Sequence, residues 1–269
     1  MLEKICVFIF GSITGSFLNV CIYRLPREES IVFPGSHCPK CNKPIHWFDN
    51  IPLLSYILLL GKCRSCKERI SPRYFLVEFL TAAMFLLFYV HFAFSFKFFL
   101  YVILTCGLIV STFVDFSHRI IPDEISIGGT VVGLCLNALA GISFRPFGYS
   151  YHPVVNSLLG ILAGGGIIYS TGVLFDLIFF KLLKHPPIQG ETESMGGGDV
   201  KLLAMIGAFL GWKAALITFF VAPFFGMSVG LVNMIVKKDH LIPYGPFLSL
   251  AALLAIFWEQ RILHILFLQ

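Results

Sequence analysis

Two aspartates stand at places in this sequence where a charged side chain is costly. Asp115 closes one apolar run, and Asp199 follows three glycines (Gly196, Gly197 and Gly198) and opens another. Carboxylates in or beside hydrocarbon are unfavourable unless they are paired or face water, so they are functional candidates by default. If these two meet, one holds a proton while the other is ionised, and such a pair can activate water for attack on a peptide carbonyl.

The expected positions of the aspartates on their helices predict which of them is ionised. The negative C-terminal end of a helix favours the protonated form of Asp115, and the positive N-terminal end of another favours the ionised form of Asp199. We expect the ionised member to act as general base on water and the protonated member to polarise the carbonyl. The three glycines would let an extended substrate backbone approach. Each aspartate could instead be structural, although Asp123, after Pro122, is the plainer helix cap.

Four cysteines form a second candidate site. They occur as two C-x-x-C pairs separated by residues 42–62: Cys38 and Cys41, then Cys63 and Cys66. Four thiolates at this spacing are typical of a closed tetrahedral zinc site of the ribbon type, which is structural because no position is left open for a substrate. A redox role for one pair, or replacement of a cysteine by His37 or His46, is an alternative.

The elements that must position these residues are predicted to be membrane-spanning helices. Hydrophobic residues make up 57% of the chain and charged residues only 13%, which is about half the charged fraction of a soluble domain. Runs of about twenty apolar residues recur. The first run, 5–22, lacks a strongly basic start and a small-residue cleavage site, so we interpret it as a retained span. Glycines at 11, 15, 160, 164 and 165 predict close helix packing.

Basic residues are concentrated between the first two apolar runs, in a chain whose net charge is +5. The positive-inside rule places this loop in the cytoplasm, and membrane orientation and lipid headgroups explain its charge better than nucleic acid does. Cytoplasmic thiols stay reduced, which favours a metal over disulfides for the four cysteines. The basic residues of the loop are Arg24, Arg27, Lys40, Lys43, Lys62, Arg64, Lys67, Arg69 and Arg73.

The predicted fold is an all-α polytopic membrane protein with about eight transmembrane helices and both termini outside. A small zinc-ribbon-like loop domain lies between the first two helices. We expect domains at 1–23 (first helix), 24–73 (zinc-binding loop) and 74–269 (the remaining membrane helices). Residues 200–211 are short for a full span, and 185–195 predict a mobile polar connector. The eight predicted spans are about 4–23, 74–94, 98–114, 124–142, 154–180, 200–211, 213–236 and 245–265.

The chain resembles the prepilin peptidases (type IV prepilin leader peptidases), a bacterial family of GxGD aspartic peptidases. The resemblance covers nearly the whole chain and rests on motifs that occur in order. A lone G-x-G-D is a weak signal, but the full set is specific. The motifs are Gly11-Ser12 through Arg24-Leu25-Pro26, the two C-x-x-C pairs with Asn50-Ile51-Pro52 between them, Arg73-Tyr74 through Glu78, Val114-Asp115 with Ile120-Ile121-Pro122-Asp123, Gly196 through Leu203, and Pro243-Tyr244-Gly245-Pro246-Phe247.

This resemblance implies that Asp115 and Asp199 are catalytic and that 74–269 is the aspartic peptidase domain. The family cuts the leader from prepilins and pseudopilins after a glycine, at the cytoplasmic face of the bacterial inner membrane. Many members then methylate the new N-terminal residue with S-adenosylmethionine and require the cysteine loop for it, so both activities are expected. Arg24, Arg73 and Glu78 are weak candidates for the methyl-donor site, because snorkelling and helix capping explain them equally well.

Three other functions would use these residues differently. A peptidase could use the cysteine loop only to dock its substrate and lack methyl transfer. A transporter would use Asp115, Asp176 and Asp199 as an ion path, although the sequence shows no repeated halves. A passive platform for pilus assembly would need neither carboxylate of the proposed pair. The sequence does not predict an oligomeric state.

Overall fold

The computed structural model describes residues 1–143, 152–182, 196–236 and 243–267, which are largely helical. No strand occurs among these residues, and the loop after the first helix holds short helical turns and two isolated β-bridges. A π-helix at Leu177–Leu182 follows α6. The α-helices are α1 (Leu2–Arg24), α2 (Leu54–Leu58), α3 (Pro72–Phe92), α4 (Phe96–His118), α5 (Asp123–Ser143), α6 (Pro153–Asp176), α7 (Gly197–Leu210), α8 (Trp212–Val236) and α9 (Gly245–Phe267).

The predicted all-α membrane fold is confirmed, and the chain is a multi-pass membrane protein. Six of the described helices (α1, α3, α4, α5, α6 and α8) are long and apolar enough to cross a bilayer. This is fewer than the eight spans expected, because α7 has only 14 residues and the apolar part of α9 is limited, in the described chain, to Gly245–Glu259. The segment predicted at 200–211 is therefore the short helix that its length suggested.

Some predictions fall outside the described residues. The polar connector 185–195 lies there, as do most of the loop before α6 and the two lysines at 237 and 238. The sequence also suggests that Asp176 pairs with Lys181 or Lys184; Lys184 lies outside the described residues, and the pairing stays a prediction.

The chain forms two compact units, Met1–Val114 and Asp115–Gln269, here called the N-terminal and C-terminal units. The N-terminal unit contains α1 to α3, the cysteine loop and most of α4. The C-terminal unit begins with the last turn of α4 and contains α5 to α9. The division into 1–23, 24–73 and 74–269 stays a prediction.

In the N-terminal unit, α1 and α3 pack closely because glycines of α1 face α3. A Cβ atom added to Gly11 would lie 2.8 Å from Cα of Ala82, and one added to Gly15 would lie 2.7 Å from Cα of Glu78. No side chain fits at such distances. The packing role predicted for these glycines is confirmed.

In the C-terminal unit, α7 is the buried centre and packs against α5, α6, α8 and α9. Its residues 202, 203 and 205–209 are all buried. The contact with α6 is again made by glycines, since a Cβ atom on Gly160 would lie 2.1 Å from the backbone oxygen of Gly207. A helix that is apolar on all sides is stable only inside such a bundle.

The C-terminal end of α7 is held by polar side chains of its neighbours. Asn137 of α5 donates to the backbone oxygen of Ala208 at 2.9 Å, and Ser157 of α6 donates to the same oxygen at 2.6 Å. These bonds satisfy a carbonyl that has no partner within the helix. The helix then stops at Gly211, whose φ of +89° suits glycine. The opposite end of α7 carries Asp199.

Candidate active site and metal centre

Asp115 lies in the last turn of α4 and is held by the start of α9. Asp115 is buried, with only 6% of its surface exposed. Its Oδ2 accepts a 2.9 Å hydrogen bond from the backbone N–H of Gly245. Because Gly245 is the first residue of α9, its N–H has no partner within that helix and is free to bind the carboxylate. The end of α4 and the beginning of α9 are thereby joined.

Asp199 lies in the first turn of α7, with its carboxyl group on the side of Gly196, the residue that caps the helix. The charge of Asp115 acts on Asp199, so the two carboxyl groups are within electrostatic reach of each other. The C-terminal end of α4 and the N-terminal end of α7 thus bring the two carboxyl groups near each other. Their role in catalysis stays a prediction.

Ile121 packs between Gly198, which precedes Asp199, and Gly245, which binds Asp115. A Cβ atom on Gly198 would lie 3.2 Å from Cβ of Ile121, and one on Gly245 would lie 3.4 Å from its Cδ1. One isoleucine therefore contacts the glycines that flank both aspartates. A side chain at position 198 would therefore press against Ile121.

The other two glycines of the G-G-G-D stretch face open space. A Cβ atom on Gly197 would meet nothing within 4 Å, and one on Gly196 would meet only Oδ2 of Asp199, at 3.5 Å. Gly197 and Gly198 belong to the first turn of α7, and the role of the three glycines in substrate approach stays a prediction. The open surface at Gly196 and Gly197 leaves room for a substrate backbone beside Asp199.

Tyr244 is a further polar side chain beside the pair. Burial, and then the negative charge of Asp199, raise the pKa of Tyr244 to about 12, so its phenol stays protonated at neutral pH and can donate a hydrogen bond. Lys201 forms a 2.7 Å ion pair with Asp123, the first residue of α5. Asp123 is thus at the helix start, as predicted, and it also links α5 to α7.

The groups around the two carboxyls favour one proton shared between them and assign neither carboxyl a fixed role as acid or as base. The ends of α4 and α7 favour protonated Asp115 and ionised Asp199. The N–H of Gly245 acts in the opposite direction, because a backbone donor stabilises negative charge on Asp115. Two carboxyl groups within electrostatic reach can hold one proton between them, which is the state needed for general acid–base attack by water.

The four cysteines of the N-terminal unit converge as predicted. The Sγ atoms of Cys38, Cys41, Cys63 and Cys66 all lie within 4.8 Å of one another, and those of Cys38 and Cys66 are 3.8 Å apart. Sulfur ligands of a tetrahedral zinc ion are about 3.8 Å apart, given a Zn–S bond of about 2.3 Å. The donor set and its spacing therefore fit a metal ion. His37 and His46 are not members of the cluster.

The two cysteine pairs have the same backbone structure. In the first, the N–H of Cys38 donates to Lys43 O and the N–H of Asn42 to Cys38 O; in the second, the N–H of Cys63 donates to Glu68 O and the N–H of Lys67 to Cys63 O. Asn42 and Lys67, which follow the second cysteine of each pair, both have positive φ. An isolated β-bridge closes each turn. The sequence contains this repeat, and the sequence reasoning missed it.

Hydrogen bonds within the cluster make its thiols unequal. Backbone N–H groups of Cys66 and Ser65 lower the pKa of Cys63 to about 7. In Cys66 a backbone bond from Glu68 acts the same way, but burial and bonds to the neighbouring thiols outweigh it and raise the pKa to about 11. A cluster in which the Cys63 thiol ionises near neutral pH is suited to binding a cation.

Beside the cluster lies a cavity of about 760 Å³, here called the loop cavity, which is bounded by α1, α3 and the cysteine loop. All three weak candidates for the methyl-donor site line it. Arg24 is buried and donates to Ser30 O at 2.8 Å and Pro34 O at 2.6 Å, so it holds the loop and does not snorkel. Glu78 is also buried, and its Oε2 accepts a 2.8 Å bond from the N–H of Leu53. The guanidinium of Arg73 lies 5.7 Å from the centroid of the Tyr74 ring.

The chain is similar to known proteins over most of its length. Residues 9–92 match the family model described as Bacterial Peptidase A24 N-terminal domain, and residues 102–231 match the Type IV leader peptidase family. The protein named "Prepilin leader peptidase/N-methyltransferase" of Aeromonas salmonicida is 32% identical, with 95% of this chain and 91% of the relative covered. The chain belongs to this family.

Other relatives carry the same name. The protein of Pseudomonas aeruginosa is 31% identical over 96% of this chain and 91% of its own length, and that of Neisseria gonorrhoeae is 34% identical over 90% and 86%. No solved structure matches the chain. Membership of the prepilin leader peptidase/N-methyltransferase family confirms the resemblance and the prediction of an enzyme of this class.

The sequence reasoning missed two residues that this geometry makes important. Gly245 was part of a quoted motif but had no role, and only the fold shows its N–H on Asp115. Asn19 lies within another of the quoted motifs, and only the fold shows that its Nδ2 donates to the backbone oxygen of Tyr74 at 3.0 Å and so links α1 to α3. An amide inside an apolar helix was the available signal for Asn19, because polar groups there need partners.

Proposed function

We propose that the protein is a membrane aspartic endopeptidase in which Asp115 and Asp199 are the catalytic pair. The observation that carries this proposal is the meeting of the two carboxylates where α4 ends and α7 begins, with Ile121 packed between their flanking glycines. A pair with one proton is suited to hydrolysis of an amide.

In the proposed reaction, the ionised carboxylate takes a proton from water as the oxygen attacks the scissile carbonyl. The protonated carboxyl donates a hydrogen bond to the carbonyl oxygen, on which negative charge develops. The tetrahedral intermediate then breaks its C–N bond, and the leaving amine receives a proton from the pair. The products are the leader with a new carboxylate and the shortened chain with a new N-terminal amine.

The substrates we propose are type IV prepilins or pseudopilins, because the relatives are named prepilin leader peptidases. Cleavage would follow a glycine. The basic residues of 24–73 support a cytoplasmic position for the cysteine loop and, through it, an active site that faces the cytoplasm of the bacterial inner membrane. The lipid bilayer is the second partner, and no nucleic acid is involved.

We further propose that the new N-terminus is methylated with S-adenosylmethionine. The amine, in its neutral form, attacks the methyl carbon of the donor; the C–S bond breaks with its electron pair left on sulfur, and the product amine loses a proton. The cysteine cluster would hold a structural Zn²⁺, since four sulfurs leave no position for substrate. Its contribution would be to fix the loop that borders the loop cavity.

The peptidase proposal is tested by cleavage of a purified prepilin by full-length protein in detergent or nanodiscs. Asp115→Asn and Asp199→Asn should each lower kcat/KM by roughly a thousandfold, because each removes one member of a pair that acts as a unit. Asp176→Asn is the matched control, since Asp176 is a carboxylate of α6 that the mechanism does not use. Normal cleavage by either variant of the pair would reject the proposal, and loss of cleavage in the control would favour the ion-path alternative.

A further inference from the structure

The short helix α2, in the loop that carries the cysteines, leaves one apolar face exposed. Leu54, Ile57 and Leu58 have the spacing of a single helix face and are 49%, 57% and 71% exposed. Leu60, which follows the helix, is 82% exposed. Large apolar side chains that are exposed together mark a surface that another apolar group covers.

The other side of α2 faces the protein. Ser55 and Leu59, one turn apart, both line the loop cavity. Tyr56 packs against α3, where its ring centroid lies 5.5 Å from that of Phe75. The three exposed residues of the helix do not line the cavity. The helix therefore has one face turned to the cavity and to α3, and one face turned away from both.

The start of α2 is bound to the side of a membrane helix, well inside the end of that helix. The N–H of Leu53, the residue before α2, donates to Oε2 of Glu78 at 2.8 Å. Glu78 lies about 9 Å from the start of α3, at 1.5 Å per residue. It packs against Gly15, which lies about 14 Å before the end of α1. Measured along either helix, the loop thus reaches past the helix ends.

This position corresponds to the level of the lipid acyl chains. With 21 residues, α3 is about 30 Å long, which is the thickness of the hydrocarbon core. A group bound about 9 Å inside α3 is therefore deeper than the lipid headgroups. Backbone groups at such a depth need partners within the protein, and Glu78 supplies one for the N–H of Leu53.

The helix α2 also lies next to a lipid-facing surface of α3. Phe75, which contacts Tyr56, stacks on Phe79 with the ring centroids 6.3 Å apart. Phe79 is half-exposed on a helix that is long and apolar enough to cross the bilayer, so it faces lipid. The acyl chains that surround α3 therefore extend to the side of α2.

We propose that α2 is a re-entrant element of the membrane, in which Leu54, Ile57 and Leu58 contact the acyl chains of the leaflet next to the cysteine loop. The apolar stretch 51–60 is too short to cross a bilayer and has the length of a segment that enters it and returns. The loop between α1 and α3 is then anchored in lipid at a third place, besides its two ends. This inference goes beyond the proposed function and depends on neither proposed activity.

The test is fluorescence quenching of Leu58→Trp in the full-length protein in nanodiscs, after the tryptophans at 47, 212 and 258 have been replaced by phenylalanine. Lipids brominated along their acyl chains should remove most of the fluorescence, whereas iodide in the water should leave it nearly unchanged. Phe10→Trp, on the exposed side of α1, gives the value for a lipid-facing site. Lys40→Trp is the control, because this exposed lysine of the first cysteine pair should be quenched by iodide and not by lipid.

Quenching of Leu58→Trp by iodide and not by brominated lipid would overturn the proposal. If added prepilin then protected the residue from iodide, the apolar face would belong to the substrate; if protection instead required two chains in one nanodisc, it would belong to a second copy. Ile57→Trp, on the same face, decides the question if Leu58→Trp does not fold, as judged by thermal unfolding. Because the readout includes no cleavage or methylation, its failure would leave the proposed function standing.

Discussion

The backbone N–H of Gly245 donates a 2.9 Å hydrogen bond to Oδ2 of Asp115, which lies 130 residues earlier in the chain. The contact leaves no space for a side chain, because a Cβ atom on Gly245 would lie 2.8 Å from that same oxygen. Gly245 therefore positions the carboxylate in two ways. Its N–H donates a hydrogen bond to Oδ2, and its lack of a side chain leaves room for that oxygen.

We predict that Gly245→Ala lowers prepilin cleavage about a hundredfold, because the added methyl group must displace the Asp115 carboxylate, and misplacement by about 1 Å has an effect of this size. Cleavage is measured as kcat/KM with a purified prepilin. Gly128→Ala is the matched control, since a Cβ atom there meets nothing within 4 Å. Equal activity of the two variants would show that the bond to Asp115 is dispensable.

Gly197 offers a test of substrate approach that is separate from folding. A Cβ atom on Gly197 would contact no protein atom, and the residue is helical. Gly197→Ala should therefore leave the thermal unfolding temperature unchanged or slightly raised, while KM for prepilin rises about tenfold because the methyl group occupies the surface open to substrate. Gly166→Ala, in equally open space on α6, should change neither quantity. An unaltered KM for Gly197→Ala would mean that the substrate passes elsewhere.

The contact between α6 and α7 should govern the stability of the C-terminal unit. Gly160→Ala places a Cβ atom 2.1 Å from the backbone oxygen of Gly207, where no side-chain rotation can relieve the clash. We expect the free energy of unfolding to fall by about 3 kcal/mol. Chemical denaturation in detergent micelles measures this change, with Gly165→Ala as the neighbour control, because its Cβ atom would be at ordinary contact distances.

The cysteine cluster should determine the metal content. We expect about one zinc ion per chain by elemental analysis of the purified protein, and Cys38→Ser should lower this value strongly, because the tetrahedral site loses a ligand. Cys106→Ser is the control, as Cys106 lies in α4 and outside the cluster. Chelation should abolish methylation before it affects cleavage, since the cluster belongs to the N-terminal unit. Equal zinc content in both variants would exclude the cluster as the metal site.

Two kinds of feature could be predicted from the sequence. Runs of apolar residues predicted the helices, and side chains that are unfavourable in a membrane protein predicted the functional sites. Long apolar runs predict helices because the bilayer fixes their length. Carboxylates and paired cysteines stand out because they are unfavourable in such a chain without a function. The cysteine spacing predicted the whole cluster, and the glycine spacing predicted close packing of α1, although the partner helix α3 is known only from the fold.

The parts that sequence reasoning missed depend on contacts between distant segments. Nothing local distinguishes Gly245 from other glycines before its N–H is seen on Asp115. The same holds for Ile121, which looks like one more apolar residue until it is found between Gly198 and Gly245. The predicted start of α7, at about residue 200, was three residues late, because glycines are poor helix formers and the helix nevertheless begins at Gly197.

Because Asn137 and Ser157 hold α7 at Ala208, the length of this helix determines where Asp199 lies. The C-terminal end of α7 is held in place, so each residue added or deleted between Asp199 and Ala208 would turn the carboxylate by about 100° and shift it by about 1.5 Å. Substitutions along α7 alter its fit, but a change of length would aim Asp199 away from Asp115 altogether. The number of residues from Asp199 to Ala208 is therefore as much a part of the site as the side chains themselves.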